Sequence, residues 1–190
     1  MRAEGRPILI RDGASAPLKR LHLGGSETDR KEKWLQELIH QHPDCIPMDQ
    51  IEPGRSRLVP IRMEVGIPAG YIDNLLMTPD GDIVIVETKL WKNPEARREV
   101  VAQALDYASS LFRMDYDALE KAVLKSYIDQ ADQPKSLFKL FDDVDTLEES
   151  AFVDAVNSNL QNGRIVVVVI GDGIRTGVET LASGLQSHAG

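Results

Sequence analysis

Asp73, Glu87 and Lys89 are the residues of this chain whose types and spacing can carry chemistry together. In Ile83-Val-Ile-Val-Glu-Thr-Lys89 the period-two alternation of an extended strand puts Glu87 and Lys89 on one face. An upstream run, Tyr71 to Met77, is joined to it by Thr78-Pro-Asp-Gly-Asp82, a sequence suited to a hairpin turn. If Met77 pairs with Ile83, Asp73 lies opposite Glu87. A one-residue slip would set Asp73 opposite Thr88 on the other face. In the first register two carboxylates stand about 5 Å apart, with an ammonium two residues along. Facing carboxylates repel, and a hard divalent cation relieves the repulsion. Mg²⁺ is typically held by one or two carboxylates plus waters and phosphate oxygens. Lys89 would then orient or help deprotonate an activated water and neutralise charge developing on phosphorus. The plainer account of the same spacing is Lys89 paired with Glu87 or Asp73 on an exposed strand.

The elements that must position these groups follow from periodicity. A helix should start near Asp29, its stripe formed by Trp34, Leu35, Leu38 and Ile39 and its end set by Pro43. Leu58 to Ile67 reads as a strand, with Pro60 marking an interruption or an edge. Tyr71–Met77 and Ile83–Thr88 read as the two hairpin strands. Asn93 and Pro94 suit a helix start, and Val100, Val101, Ala104, Leu105, Ala108 and Leu111 make a long amphipathic helix to about Arg113. Helical stretches at 115–130 and 147–160 break around Gln133-Pro134. Ile165 to Ile170 is an apolar run expected to be a strand buried on both faces, and a last helix is expected at about 176–187. Residues 1–25 read as an arm or one edge strand. The expected class is α/β, in one domain over residues 1–190.

Asp73 followed by Glu87-Thr-Lys89 on the next strand resembles the PD-(D/E)XK nuclease superfamily in its Asp…Glu-x-Lys form. The order of elements is similar to that superfamily's restriction-endonuclease-like αβββαβ core, a mixed central sheet flanked by helices. Residues 115–160 would be a helical insertion in it. Gln103-Ala-Leu-Asp-Tyr107 resembles the Gln-xxx-Tyr motif of RecB-type members, and the block Glu87 to Tyr107 is similar to bacterial proteins with such a domain. The resemblance covers roughly residues 29–113 and 164–170. It implies Mg²⁺-dependent hydrolysis of DNA, with Mn²⁺ as the alternative ion. Asp73 and Glu87 would be metal ligands and the Thr88 carbonyl a third; Lys89 would assist the attacking water. It also implies an acid from the first helix. Glu32 shares a face with Leu35 and Ile39 and is preferred over Glu37, although Asp29-x-x-Glu32 also matches a capping box. Gln103 and Tyr107, spaced i, i+4 on one helical face, would reach towards the site or else seal a helix–sheet seam. Asn74 should point away from Asp73 and serve structure. Trp91 and Lys92 would stack on a base or grip a phosphate, with a buried end-cap as the other reading of Trp91.

Charge and composition limit the alternatives. The net charge of -8 is unevenly spread: residues 115–154 hold 4 Lys/Arg against 11 Asp/Glu, whereas residues 1–114 hold 16 against 17. The pooled charge therefore does not exclude a locally basic groove, to which Arg55, Arg57, Arg62, Lys92, Arg97 and Arg98 are the candidate contributors. No apolar run is long enough to span a membrane, no apolar signal segment opens the chain, and the lone Cys45 fits a reducing cytoplasm. Cys45 has no basic neighbour and reads as a buried or idle thiol. His40-Gln-His42 with Asp44 and Cys45 matches no usual zinc spacing. Gly171-Asp-Gly173-Ile-Arg-Thr-Gly177 departs from the dinucleotide fingerprint and reads as a tight turn. A different class of function also fits: a non-catalytic module of the same fold that binds nucleic acid or a basic protein partner. An apolar strand at 164–170 with an uncovered edge tends to recruit a partner. The expectation is therefore a further C-terminal domain or a homo-oligomer, unless residues 6–11 pair there.

Overall fold

A computed structural model describes residues 7–18, 32–54, 57–90, 96–128, 133–144 and 147–171, with the backbone alone described at 96–99. Strands β1 (Ile8–Arg11) and β2 (Ala14–Pro17) are followed by helix α1 (Glu32–Gln41), a 3₁₀ turn at Pro43–Cys45 and a single helical turn, α2 (Met48–Ile51). Strands β3 (Val59–Ile67), β4 (Gly70–Met77) and β5 (Ile83–Lys89) lead into α3 (Ala96–Leu111) and α4 (Tyr116–Lys125). A 3₁₀ turn at Phe138–Phe141, helix α5 (Glu149–Gln161) and strand β6 (Ile165–Gly171) complete the described elements. The main sheet has the order β3-β4-β5-β6, antiparallel except for the parallel β5–β6 pair. The protein is thus mixed α/β, a four-stranded mixed sheet flanked by helices. No described helix is long and apolar enough to cross a membrane.

Each face of the sheet has its own core. Leu76, Val84 and Val86 project towards α1 and meet Leu35 and Ile39, the i, i+4 pair of its apolar stripe. Leu75, Met77, Ile83 and Ile85 project the other way, into a larger core that contains Leu119, Val123, Phe141, Phe152, Val156 and Leu160. Residues 115–160 are therefore more than an appendage, since their apolar side chains fill most of one side of the sheet. Phe152 is the hub, with the Phe141 ring at 4.9 Å, Phe138 at 5.5 Å and Tyr116 edge-on at 6.3 Å.

The β4–β5 turn sets the register. Thr78 Oγ1 donates to Asp82 Oδ2 (2.9 Å) and accepts from the Asp82 N–H (3.0 Å). The Gly81 carbonyl accepts from Asn159 Nδ2 at 3.0 Å, which ties the turn to α5. Gly81 has φ +87, and a Cβ there would lie 3.0 Å from Ala155 Cβ, so glycine is required by both backbone and packing. Met77 pairs with Ile83, as the turn sequence predicts.

Three expectations need correction. Residues 8–11 and 14–17 form a separate two-stranded hairpin, with Ile8 opposite Pro17, rather than a single edge strand or a partner for β6. The reason is local: Asp12 (φ +51) and Gly13 (φ +79) form the two-residue turn that an Asp-Gly pair favours. Strand β6 is not buried on both faces. Six of its residues are half-buried and Val167 is exposed, because it is an edge strand in the described sheet. Pro60 does sit on an edge strand, at a register shift between Pro60 and Arg62. Arg62 is no free groove residue. Its Nη2 donates to the Ser126 carbonyl (2.9 Å) and its guanidinium lies 4.2 Å from the centre of the Tyr127 ring, whose hydroxyl donates to the Ile61 carbonyl (2.7 Å). Arg57 is exposed and lies 3.6 Å from Asp44. Pro94, Trp91, Lys92, Arg55, the side chains of Arg97 and Arg98, the turn from Asp172 to Gly177 and the helix expected at 176–187 lie outside the described residues.

Candidate functional site

The site lies where the sheet changes its alternation. Asn74 and Leu76 face α1 and Leu75 faces the larger core, yet Ile72 and its partner Val65 also join the larger core. Strict alternation from Leu75 would have sent Ile72 towards α1. The slip falls at Asp73 on β4 and, across the ladder, at Glu64 on β3, whose φ is +54. A left-handed backbone at a non-glycine residue costs roughly 1–2 kcal/mol. The β4–β5 ladder also stops here, its last pair being Asn74 and Val86. Asp73 is thus released from regular pairing, one step before the register would set it opposite Glu87.

Asp73 uses that freedom to bridge the two strands. Its Oδ2 accepts from the Thr88 N–H (2.8 Å) and from Thr88 Oγ1 (2.7 Å). Thr88 is buried, and its side chain points to the face opposite Glu87 by alternation. The carboxylate is therefore held at the parting of the strands by two donors. Sequence reasoning missed this role for the Thr88 hydroxyl. The signal available was a β-branched hydroxyl residue between the two charged residues of Glu-Thr-Lys.

Glu87 is the electrostatic centre. It is only 5% exposed and its Oε2 has no hydrogen-bond partner in the protein. Burial first, then the neighbouring Asp73 carboxylate, push its carboxyl up to about 8, against the pull of the Lys89 ammonium; Glu32 adds to the rise. Asp73, Lys89 and Glu32 are each close enough to act on Glu87. Glu32, in the first turn of α1, crosses to the end of β5, where its Oε1 accepts from the Leu90 N–H (2.9 Å). Glu32 therefore spends one oxygen on a backbone N–H, though on the sheet rather than within its own helix; Asp29 lies outside the described residues. Glu37, further along α1, is half-buried.

Gln103 and Tyr107 come together as their spacing predicts, with Gln103 Nε2 donating to the Tyr107 hydroxyl at 2.6 Å. Tyr107 is 5% exposed. Burial raises its phenol above the ordinary value, and the Glu87 and Asp73 carboxylates add to the rise, while hydrogen bonds from Gln103 and the Tyr71 main chain oppose it. The ring reaches the sheet because residue 70 is glycine: a Cβ there would lie 3.2 Å from Tyr107 Cε1 and Oη. The pair thus seals the helix–sheet seam and borders the acids at once.

Asn74 serves structure, as its position predicts. It is fully buried, its Nδ2 donates to the Gln36 carbonyl (3.2 Å) and its Oδ1 meets His40 Nδ1 (3.2 Å), which fastens α1 to β4. Burial lowers the His40 imidazole below its ordinary value, opposed by that hydrogen bond. Cys45 is exposed, not buried, and partial desolvation raises its thiol rather than activating it.

Among the described residues no three His, Cys, Asp or Glu side chains converge as a ready-made metal cage. The donors that are present suit a hard cation held by few protein ligands. A buried carboxylate oxygen lacks a partner, a second carboxylate is fixed beside it by two hydrogen bonds, and a third acid lies nearby. Mg²⁺ completes such a set with waters and substrate oxygens. No protein-family model matches this chain, and no curated protein or solved structure matches it significantly.

Proposed function

We propose that the chain is a metal-dependent nuclease of the PD-(D/E)XK type, with a restriction-endonuclease-like core, that hydrolyses phosphodiester bonds in DNA. The observation that carries this reading is Glu87: a buried carboxyl with an orphaned oxygen, beside Asp73 and Lys89, at the point where β4 and β5 part. A carboxyl pushed up to about 8 is poorly suited to stabilising a fold at neutral pH and well suited to receiving a cation. The sequence resemblance supports the same conclusion, through Asp73, Glu87-Thr-Lys89 and the Gln103–Tyr107 pair.

Asp73, Glu87 and the Thr88 carbonyl would hold Mg²⁺ or Mn²⁺, which would supply Lewis acidity towards the scissile phosphate and lower the pKa of the attacking water. Thr88 fixes the orientation of Asp73. Lys89 orients the water for in-line attack and offsets negative charge building on the phosphoryl oxygens. Water oxygen forms the new bond to phosphorus as it gives up a proton to solvent, the bond to the leaving sugar oxygen breaks, and that oxygen takes a proton from solvent to leave as an alcohol. Glu32 positions the end of β5 through Leu90. Gln103 and Tyr107 close the α3 side.

The test is incubation of the pure protein with linear, circular and single-stranded DNA, with Mg²⁺, Mn²⁺ or EDTA. Metal-dependent degradation that is lost in folded Asp73→Ala and Lys89→Ala variants is expected. Full activity in a folded Asp73→Ala protein would overturn the assignment. Binding without cleavage under all conditions would favour a nuclease-fold binding module instead.

A further inference from the structure

A cavity of about 390 Å³ opens between the β3–β4 turn, at Pro68 and Ala69, and the C-terminal end of α3. Its polar lining comes from α3 and the turn that ends it: Asp106, Ser109, Ser110 and Arg113, spaced i, i+3, i+4 and i+7. Arg113 Nη2 donates to Ser109 Oγ (3.2 Å) rather than pairing with Asp106 across the cavity. Ser110 is 8% exposed, and its hydroxyl has no hydrogen-bond partner among the described residues. A hydroxyl held there without a partner is a group that a ligand in the cavity can satisfy.

The cavity adjoins the acids through Tyr107. Ala69 and Asp106 directly precede Gly70 and Tyr107, the pair that meets across the helix–sheet seam. The Tyr107 phenol feels both Glu87 and Asp73. By strand alternation Glu87 projects to the same face as Ile83 and Ile85, the face on which α3 packs through Tyr107 and Leu111. Ser110 follows Tyr107 by three residues, about 5 Å along the helix, and Arg113 stands one turn further on.

The lining is two-ended. Arg113 and the two hydroxyls offer donors to phosphate oxygens, while Asp106, two turns away, accepts from a hydroxyl or an amino group. The C-terminus of α3 is the negative end of its dipole and Asp106 adds to that charge, so a phosphate held there depends on Arg113. The volume is at the small end of small-ligand sites, enough for one nucleotide and too little for a base pair.

We propose that this cavity is a nucleotide subsite, with phosphate against Arg113, Ser109 and Ser110 and sugar or base against Asp106, which holds one nucleotide of the strand being cut. Its place on that strand rests on the nuclease reading of Asp73 and Glu87, and the experiment separates the two. Titration calorimetry in EDTA measures binding of deoxyadenosine monophosphate, deoxyadenosine and inorganic phosphate to wild type, Arg113→Ala and Asp106→Ala. Arg113 and Asp106 are both exposed, so neither change should disturb folding. Cleavage kinetics are measured with a single-stranded oligonucleotide and with methyl p-nitrophenyl phosphate, a diester without bases.

Wild type is expected to bind the monophosphate at least tenfold more tightly than either deoxyadenosine or phosphate. Arg113→Ala should weaken the monophosphate on the order of tenfold or more. Asp106→Ala should bind phosphate better than wild type does, yet prefer the monophosphate less. In cleavage, Arg113→Ala should raise KM for the oligonucleotide on the order of tenfold and leave hydrolysis of the simple diester unchanged. Equal monophosphate affinity in wild type and Arg113→Ala, or none in wild type, would overturn the subsite. An oligonucleotide KM indifferent to Arg113→Ala would overturn its place on the strand. A wild type that cleaves no substrate, yet binds the monophosphate through Arg113, would overturn the catalytic reading and leave the nucleotide site standing.

Discussion

Asp73 and Thr88 are bound twice through a single carboxylate oxygen, at 2.8 Å from the main-chain N–H and 2.7 Å from the hydroxyl. The bond replaces the ladder that ends at Asn74 and Val86, so the strands part without leaving the Thr88 N–H unsatisfied. It also spends one oxygen of Asp73 on orientation and leaves the other for a ligand.

Thr88→Val keeps the shape and removes the hydroxyl. A loss of about 1 kcal/mol in stability is expected, read by urea unfolding, together with a roughly 10–100-fold loss in metal affinity or activity from a misaligned Asp73. Thr88→Ser should restore most of both. A Val variant with wild-type cleavage would show that the hydroxyl has no part in positioning Asp73.

Glu87→Gln should stabilise the metal-free protein at pH 8 while abolishing cleavage. The sign follows from the raised carboxyl: between its unfolded value and about 8 the folded state holds a proton that the unfolded state has lost. Stability therefore falls as pH rises through that window. The variant lacks the titration, so its stability should be flatter with pH. The gain at pH 8 should be on the order of 1–2 kcal/mol, reduced from the full shift by solvent screening. Thermal melts from pH 5 to pH 8.5 in EDTA measure it, and parallel curves for the two proteins would contradict the assignment.

Cation binding should displace the Glu87 proton. Mg²⁺ affinity is expected to rise about tenfold per pH unit from pH 6 to 7 and to level off above 8. Titration calorimetry in two buffers of different ionisation enthalpy should report close to one proton released per ion at pH 7. Added EDTA should leave the fold intact, because two hydrophobic clusters hold the sheet without the site.

Much of this arrangement was legible in the chain. The Thr78–Asp82 turn carries its own hydrogen bonds, so the hairpin register followed from local chemistry, as did the shared helical face of Gln103 and Tyr107. What escaped was non-local. The left-handed backbone at Glu64 has no sequence mark, since glycine or asparagine would be the residue to suggest it. The slip in alternation there turns Asp73 towards Thr88. The reach of Glu32 to Leu90 depends on how α1 docks, which Asn74 and His40 decide from another strand and another turn. The edge position of β6 could not be read from its sequence, because an unbroken apolar run does not say whether the strand will have a neighbour on both sides.

Tyr107→Phe tests the seam. It removes the oxygen shared by Gln103 and the Tyr71 main chain but keeps the ring against Gly70. A stability loss of about 1 kcal/mol is expected, with a fall in kcat larger than any change in KM for methyl p-nitrophenyl phosphate. An unaltered kcat would confine the pair to a structural role.

Phe152→Ala should cost about 3–5 kcal/mol, because the side chain is fully buried among three other aromatic rings on one face of the sheet. Chemical unfolding followed by far-ultraviolet circular dichroism should show loss of the sheet and of α5 in one transition. Separate transitions would mean that residues 115–160 form an independent unit.

The chain segment that supplies this aromatic core carries the net negative charge on its outside: Asp115, Asp117, Asp142, Asp143, Glu148, Glu149 and Asp154 are all exposed. The outside of the larger core is consequently an acidic surface. A polyanion diffusing towards it is repelled from the acidic side. Rising ionic strength shortens the reach of that repulsion, so encounters would lose directional bias as salt increases, even where their overall frequency holds steady.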